Sequence, residues 1–287
     1  MLNINQIYNE DCLSGMKKLS DGSIDFIFSD LPYGITNNSW DIPIPLDTMW
    51  KEFERIIKDN GCIALWSQSP FDKTLSCSNL QLYRYEWIIE KTKATGHLNA
   101  KKMPMKAHEN VLIFYKKLPV YHPQMTDGHS PVHSYTKHTT DGSNYGKTKI
   151  GISGGGSTQR YPRDVLKFSW DTQKSKIHST QKPIAACEYF IRTYTNPGDI
   201  VLDPCAGSAT TAVSAINTNR NFICFEKDKE IYSKAKERKG FSKLKIIYNK
   251  RLQSNLQFFL SEKQIMIACF SILLLTDKIM KVRRNRL

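Results

Sequence analysis

Short apolar runs that end at an acidic residue or a Pro/Gly break, each followed by a stretch of helical spacing, constrain this chain more than any other feature. Ser23-Ile24-Asp25-Phe26-Ile27-Phe28 is a β-rich run ending at Ser29-Asp30, and Leu31-Pro32-Tyr33-Gly34 breaks it, the pattern of a buried strand feeding a loop. Leu46, Met49, Trp50, Phe53, Ile56 and Ile57 share one face of a helix over Leu46 to Lys58, with Asn60-Gly61 as its stop. Cys62 to Trp66, Tyr85 to Glu90 and Val111 to Tyr115 read as further strands. After Pro183, placed as a helix N1 proline, a helix runs to Asn196-Pro197-Gly198. A strand Ile200 to Asp203, a small-residue turn, a helix Thr210 to Asn217, a strand Asn221 to Phe225 ending in Glu226, and a helix from Asp228 through Lys239 follow. Alternation of this kind predicts an α/β fold with a mostly parallel sheet covered on both faces.

The pattern fades from about Lys116 to Asp171, where Gly, Ser, Thr, His and Pro dominate. A stretch this long without regular structure inside a compact domain reads as a functional insertion. Charge agrees with that. The formal net charge is +14, and Lys91 to Lys182 holds 16 Lys/Arg against 5 Asp/Glu together with all 7 His. A basic segment interleaved with Tyr, Trp and His fits a surface for a polyanion, nucleic acid first. The chain therefore divides into residues 1–90, an inserted recognition region 91–176 that includes a sheet strand near 109–117, residues 177–250, and a C-terminal helix or tail 251–287.

Seven widely spaced cysteines without a CxxC read as reduced, mostly buried thiols of a cytoplasmic protein. The His-rich window lacks metal-ligand spacing, so no metal site is expected. The N-terminus carries no basic region followed by an apolar core, so no signal peptide is indicated. Ile265 to Leu275 is apolar but shorter than the ~20 residues a membrane helix needs, and no membrane partner is expected.

Two elements carry chemistry. Strand, small-residue turn, helix, strand and acidic residue over Ile200 to Glu226 form the layout of a nucleotide-binding βαβ unit. Small side chains there let a ligand approach the backbone, and a carboxylate at Glu226 can take both hydroxyls of a ribose. Asp30-Leu31-Pro32-Tyr33 is the second element. An exocyclic amino nitrogen is a poor nucleophile because its lone pair is delocalised into the ring. A carboxylate and a backbone carbonyl that accept its N–H hydrogens reduce that delocalisation, while Tyr33 offers a π-face for a base taken out of a duplex.

Asp30-Leu31-Pro32-Tyr33 resembles the D-P-P-Y motif of amino-group DNA methyltransferases. Asp203-Pro204-Cys205-Ala206-Gly207-Ser208-Ala209-Thr210-Thr211 is similar to their D-P-F-x-G-S-G-T-T cofactor motif, and His178-Ser179-Thr180-Gln181-Lys182-Pro183 to their H-P-T-Q-K-P segment. The order of the motifs is that of the permuted β subgroup, and the resemblance runs from about Ile7 to Lys239. It implies a Rossmann-like S-adenosylmethionine-dependent methyltransferase fold, with a mostly parallel seven-stranded sheet containing one antiparallel strand. It also implies methyl transfer from S-adenosyl-L-methionine to N6 of adenine in double-stranded DNA. Asp30 and the backbone of Leu31 would hold the target amino group, with Pro32 stiffening the loop and Tyr33 stacking on the base. Asp203, Cys205, Gly207 and Ser208 would line the methionine end of the cofactor, Glu226 its ribose and Asp11 its adenine, with Thr180, Gln181 and Lys182 closing over the methionine. Lys101, Lys102, Arg160 and Arg163 are the candidates for DNA contact.

Asp rather than Ser at position 30 favours adenine N6; N4 of cytosine and a catalytically degenerate DNA-binding protein are the alternatives. A homodimer and a cognate restriction nuclease stay open as further partners. Leu31 stands where proline is commoner, at little expected loss, since its carbonyl is what acts. Ser179 and Cys205 also depart from the family pattern. Ala209 replaces a glycine; with φ above zero it would cost about 1 kcal/mol and bring a methyl toward the cofactor. Pro204-Cys205 and Glu109-Asn110-Val111 echo cytosine-C5 enzymes, but in reversed order. Cys205 is accordingly read as a loop residue, and Glu109-Asn110-Val111 as the start of a strand.

Overall fold

The computed structural model describes residues 2–34, 41–136, 150–169 and 181–239. The chain divides into a unit over Met1–Arg238, described here, and Lys239–Leu287. Apart from Lys239, that second unit lies outside the described residues, as does the tail expected over 251–287.

The central sheet has eight strands in the order β1 (Gln6–Tyr8), β10 (Asn221–Phe225), β9 (Ile200–Asp203), β2 (Ile24–Asp30), β3 (Ile57–Ser67), β5 (Lys106–Phe114), β4 (Tyr83–Thr95), β8 (Val165–Phe168). All neighbours run parallel except β5, which is antiparallel to both β3 and β4. The expected architecture is present with one strand more than expected. The eighth, β8, comes from inside residues 91–176, the stretch expected to be an inserted recognition region, and continues the ladder on the edge of β4. A two-strand ladder, β6 (Tyr135–Thr136) with β7 (Ser153–Gly154), lies apart from this sheet.

Period-2 alternation buries both faces. Phe26 and Phe28, Cys62, Ala64 and Trp66, Trp87 and Ile89, Val111 and Ile113 belong to one core cluster. Ile24 and Ile27, Ile63 and Leu65, Leu112 and Phe114 belong to the other. The first face is covered by α4 (Ile184–Tyr194), α5 (Thr210–Asn217) and the helical residues 229–239. The second is covered by α1 (Cys12–Met16), α2 (Leu46–Ile56) and α3 (Phe71–Cys77). Side chains of adjacent positions thus point into opposite cores, which is why these strands read as continuous apolar runs.

Several local expectations shift. The α2 helix ends at Ile56 and β3 begins at once with Ile57, so Asn60-Gly61 does not stop the helix. It lies in the strand, at a register shift opposite Ile24–Phe26. A Cβ on Gly61 would stand 2.9 Å from the Asp25 carbonyl oxygen, so close approach at this irregularity calls for glycine. Pro183 is the N-cap of α4 and Ile184 its first residue. β4 and β5 extend beyond the predicted runs to Thr95 and Lys106, so the division at 90/91 falls inside β4.

The chain leaves β2 for β3 on one side and β9 for β10 on the other, while β2 and β9 are themselves neighbours. That reversal opens a crevice outside their carboxyl ends. Helix α1 lies close on β10: a methyl on Gly15 would collide with the Phe225 ring, which is fully buried. Gly15→Ala is therefore expected to destabilise the protein by about 1–3 kcal/mol through overpacking. Urea unfolding checks this, as a lower midpoint at unchanged m-value.

Candidate functional site

A cavity of about 620 Å³ occupies this crevice, within the size range of small-molecule sites. Asp11, Asp30, Asp203 and Glu226 all reach its wall, brought in by four separate strand ends or caps.

Asp203 ends β9 and is buried. Its Oδ1 accepts hydrogen bonds from Ser29 Oγ at 2.7 Å and from the Cys205 amide at 3.0 Å. Burial pushes the Asp203 carboxyl up to about 6, against the pull of hydrogen bonds from Thr211, Ser29 and Cys205. Glu226, just past β10, accepts the Gly207 amide at 2.9 Å and the Asp228 amide at 2.8 Å, which ties it to the small-residue turn. Burial holds its carboxyl above the usual value, with those two amides opposing. Asp11 caps α1, accepting from the amides of Leu13 and Ser14 through one oxygen. Cys205 lines the cavity beside Cys12, to which its thiol is hydrogen-bonded.

The turn before α5 is left-handed at Gly207 (φ 49°) and at Ala209 (φ 57°, ψ 33°). The backbone strain expected at Ala209 is therefore present, about 1 kcal/mol. The expected crowding is not. Ala209 is fully buried within the core cluster and does not wall the cavity. Arg238 steadies the same turn, donating to Ser208 O at 2.7 Å and to Ser208 Oγ and Thr210 Oγ1 at 3.0 Å.

Asp30 ends β2. Its Oδ1 accepts the Tyr33 hydroxyl at 2.7 Å, and its Oδ2 lies 3.0 Å from Lys182 Nζ. Lys182, expected to close over the methionine part of the cofactor, lines the cavity, and its ammonium sits between Asp30 and Glu109, 2.8 Å from Glu109 Oε2 and 5.0 Å above the Trp66 ring. Lys91 closes the row at 2.9 Å from Glu109 Oε1. Lys91, Lys182 and Glu109 side chains are only 7, 10 and 12% exposed, so two of the lysines counted toward the basic surface are interior ion-pair members. Burial and Glu109 raise the Asp30 carboxyl above its usual value, with Lys182 and the Tyr33 hydroxyl pulling the other way. Burial disfavours the charge on Lys182, yet Asp30 and Glu109 together hold it above the normal lysine value. Burial likewise disfavours charge on Glu109, and its two lysines more than offset that.

The Tyr33 ring stacks on Phe71, centroids 4.8 Å apart at 26°. Leu31 and Pro32 line the cavity between the two halves. Gln181 is buried at the cavity wall and its Oε1 has no hydrogen-bond partner among the described residues. Thr180 lies outside the described residues. Of the DNA-contact candidates, Lys101, Lys102 and Arg163 are exposed. Arg160 differs: its guanidinium donates to the carbonyls of Ser157 and Gln159 at 2.9 Å, and so holds its own loop.

Sequence reading missed Glu109, Lys91, Trp66 and Phe71. The first three had a usable signal. Each continues a period-2 stripe of core residues by one step, beyond Val111, Ile89 and Ala64. Phe71 has none, since its stacking partner comes from another loop.

A family model described as DNA methylase, of the N6/N4 methyltransferase kind, matches residues 24–237. The chain is 27% identical over 241 residues to the DNA adenine methyltransferase YhdJ of Escherichia coli K12, covering 78% of this chain and 79% of that one. The crystal structure of an M1.HpyAVI–SAM complex is similar with a TM-score of 0.53 at 24% identity, covering 81% of this chain and 98% of the other. The cytosine-N4-specific PvuII DNA methyltransferase is similar with a TM-score of 0.57 at 15% identity, covering 80% and 84%.

The raised carboxyl of Asp203 has a stability consequence. Its contribution is present below pH ~4, where the group is protonated folded or unfolded, and is lost as pH rises through about 6. Asp203→Asn cannot ionise. It should unfold at higher urea than the parent at pH 8, by on the order of 1–3 kcal/mol, with the difference closing toward pH ~4. A variant less stable at pH 8 would show the ionised carboxylate to be a net favourable partner.

Proposed function

Because the chain belongs to the DNA methylase family of N6/N4 amino-methyltransferases, we propose that it methylates N6 of adenine at a specific site in double-stranded DNA, the base being swung out of the helix to Asp30. The observation that carries this is the juxtaposition of Asp30 and Asp203 across Ser29 at the mouth of one cavity. It sets a carboxylate for an amino group beside a pocket for the methyl donor.

S-adenosylmethionine, the donor of this family, supplies a methyl group activated by its sulfonium. The cavity suits it. Glu226, Asp203 and Asp11 bring carboxylates to ribose hydroxyls, an ammonium and a purine amine. The buried Gln181 Oε1 lacks a partner among the described residues, and a side chain at Gly207 would extend into open space among them. Glu226 would hold the ribose, Asp203 and Gly207 the methionine end, and Asp11 the adenine.

Asp30 and the Leu31 carbonyl accept the two N–H hydrogens of the target amino group, which turns its lone pair toward the methyl carbon. Asp30 then lies next to the nitrogen that releases a proton after transfer. Tyr33, backed by Phe71, offers its other face to the base. An aspartate at position 30 and the naming of YhdJ as an adenine enzyme favour N6. The likeness to the cytosine-N4-specific PvuII enzyme supports the second reading, N4 of cytosine. Either amino group can use the same acceptors.

DNA would be met by the arm that β4 and β5 form beyond the sheet. Between Thr95 and Lys106 the arm carries exposed Lys101 and Lys102 and a fully exposed Leu98. Lys106 anchors its base, donating to Ser69 O at 2.9 Å. No helix among the described residues is long and apolar enough to cross a membrane.

Long-read sequencing of DNA from cells expressing the chain should show N6-methyladenine in one sequence context; N4-methylcytosine would select the second reading. Asp30→Asn should lower kcat by about 10³-fold while calorimetry finds S-adenosylmethionine bound as in the parent. Full activity in that variant would sink the assignment. Replacing Lys101 and Lys102 by Ala should weaken DNA binding across sequences and reduce the salt slope by about 2. An unchanged slope would place the phosphate contacts elsewhere.

A further inference from the structure

The alternation that buries one face of the sheet runs one residue further on four strands. After Phe28, Ala64, Val111 and Ile89 come Asp30 on β2, Trp66 on β3, Glu109 on β5 and Lys91 on β4. The strand order and register set them on a diagonal: Asp30 is level with Trp66, Glu109 lies one step past Val111, the partner of Trp66, and Lys91 lies one step past Ile89, the partner of Glu109. Lys182 enters over them from the segment before α4. The result is a neutral series of alternating charge: Asp30, Lys182, Glu109, Lys91, linked at 3.0, 2.8 and 2.9 Å.

Both oxygens of Asp30 are already engaged, one by the Tyr33 hydroxyl and one by Lys182. A target amino group entering there competes with Lys182 for Asp30 and loosens that pair. Were Asp30 the sole partner, that would strand a buried ammonium, which is strongly unfavourable. We propose that Glu109, anchored by Lys91, is a positioning residue for methyl transfer: it retains Lys182 when Asp30 turns to the target amino group. Lys91 holds Glu109 from its far oxygen, so Glu109 stays on β5 and does not follow Lys182 toward Asp30. The Trp66 face adds a cation–π contact that is independent of which carboxylate is engaged. This inference rests on the reading of Asp30 as the acceptor for the target base.

The ionisable groups that face Asp30 are Tyr33 on its own loop, Lys182 before α4, Cys187 on α4, Glu109 on β5 with Lys91 behind it, and Asp203 on β9; Asp41 faces Tyr33. Glu109 raises the Asp30 carboxyl and Lys182 lowers it. Glu109→Gln should therefore move the acid limb of kcat/KM to lower pH, and Lys182→Met should move it to higher pH. Glu109→Gln should also cut kcat/KM for DNA about tenfold or more, because Lys182 then has only Asp30 as an anionic partner. In the double variant no ammonium has to be retained. It should recover part of the rate lost in Glu109→Gln, and its acid limb should lie between those of the single variants.

The test is the pH–rate profile of the full chain and these three variants on duplex DNA, with S-adenosylmethionine affinity by calorimetry as the check on folding. An unmoved acid limb in Glu109→Gln at full rate overturns the proposal, and so does a double variant as slow as the product of the two single effects. Should Glu109→Gln not fold, Lys91→Met against Lys91→Arg carries the question: the methionine variant should lose rate and the arginine variant keep most of it, and a fully active Lys91→Met overturns it. Absence of DNA methylation by the parent would remove the reading of Asp30 itself. An active parent whose variants behave alike removes this inference alone.

Discussion

The parallel pairing of β2 with β9 is the contact on which the rest depends. The strands come from opposite ends of the described unit, the hydrogen-bonded Ser29 and Asp203 standing 174 positions apart in the chain. Their adjacency makes the point where crossovers leave in opposite directions, and so makes the crevice. A strand-end carboxylate arrives from each side, Asp203 from β9 and Asp30 from β2. The Ser29 hydroxyl donates to Asp203 while the next residue is Asp30, so the two halves of the site are one residue apart along β2.

Placing four carboxylates around one cavity is unfavourable electrostatically, and the fold offsets that locally. Glu226 is satisfied by two backbone amides, Asp11 by two amides of the helix it caps, and Asp203 by a hydroxyl and an amide. Asp30 alone of the four has a buried ammonium against it. The physical difference is that backbone donors fix a carboxylate in place, whereas a lysine side chain can be shared or exchanged. The left-handed Ala209 belongs to the same picture. Its strain is absorbed by a turn that Arg238 and Glu226 hold from two sides, and its methyl contributes to the core instead of narrowing the cavity.

Much of the fold was legible. Runs such as Ile200 to Asp203, Thr210 to Asn217 and Asn221 to Phe225 appear with the predicted bounds, because their local signals are unambiguous: continuous apolar residues for a strand buried on both faces, small residues and a tight turn for the helix. The errors share a cause. Asn60-Gly61 carries the same composition whether it ends a helix or accommodates a bulge, and the decision lay with the pairing partner of β3. The extension of β4 and β5 past Glu90 and Glu109 rests on their pairing with each other, which polar residues there do not advertise.

By itself the sequence determined the chemistry available at each strand end: Asp30 before a rigid Pro–Tyr loop, Asp203 before a small-residue turn, Glu226 after a buried strand. Those are consequences of local order, since a carboxylate that closes a buried strand lies at that strand's carboxyl end whatever the strand order. Tertiary structure alone decided which groups meet. Lys182 could serve a ligand or a carboxylate, and Glu109 could have been an ordinary strand residue. Strand order and register bring Asp30, Trp66, Glu109 and Lys91 onto one diagonal of neighbouring strands beneath Lys182. The physical reason is that ion pairing acts over about 3 Å in space and takes no account of separation along the chain.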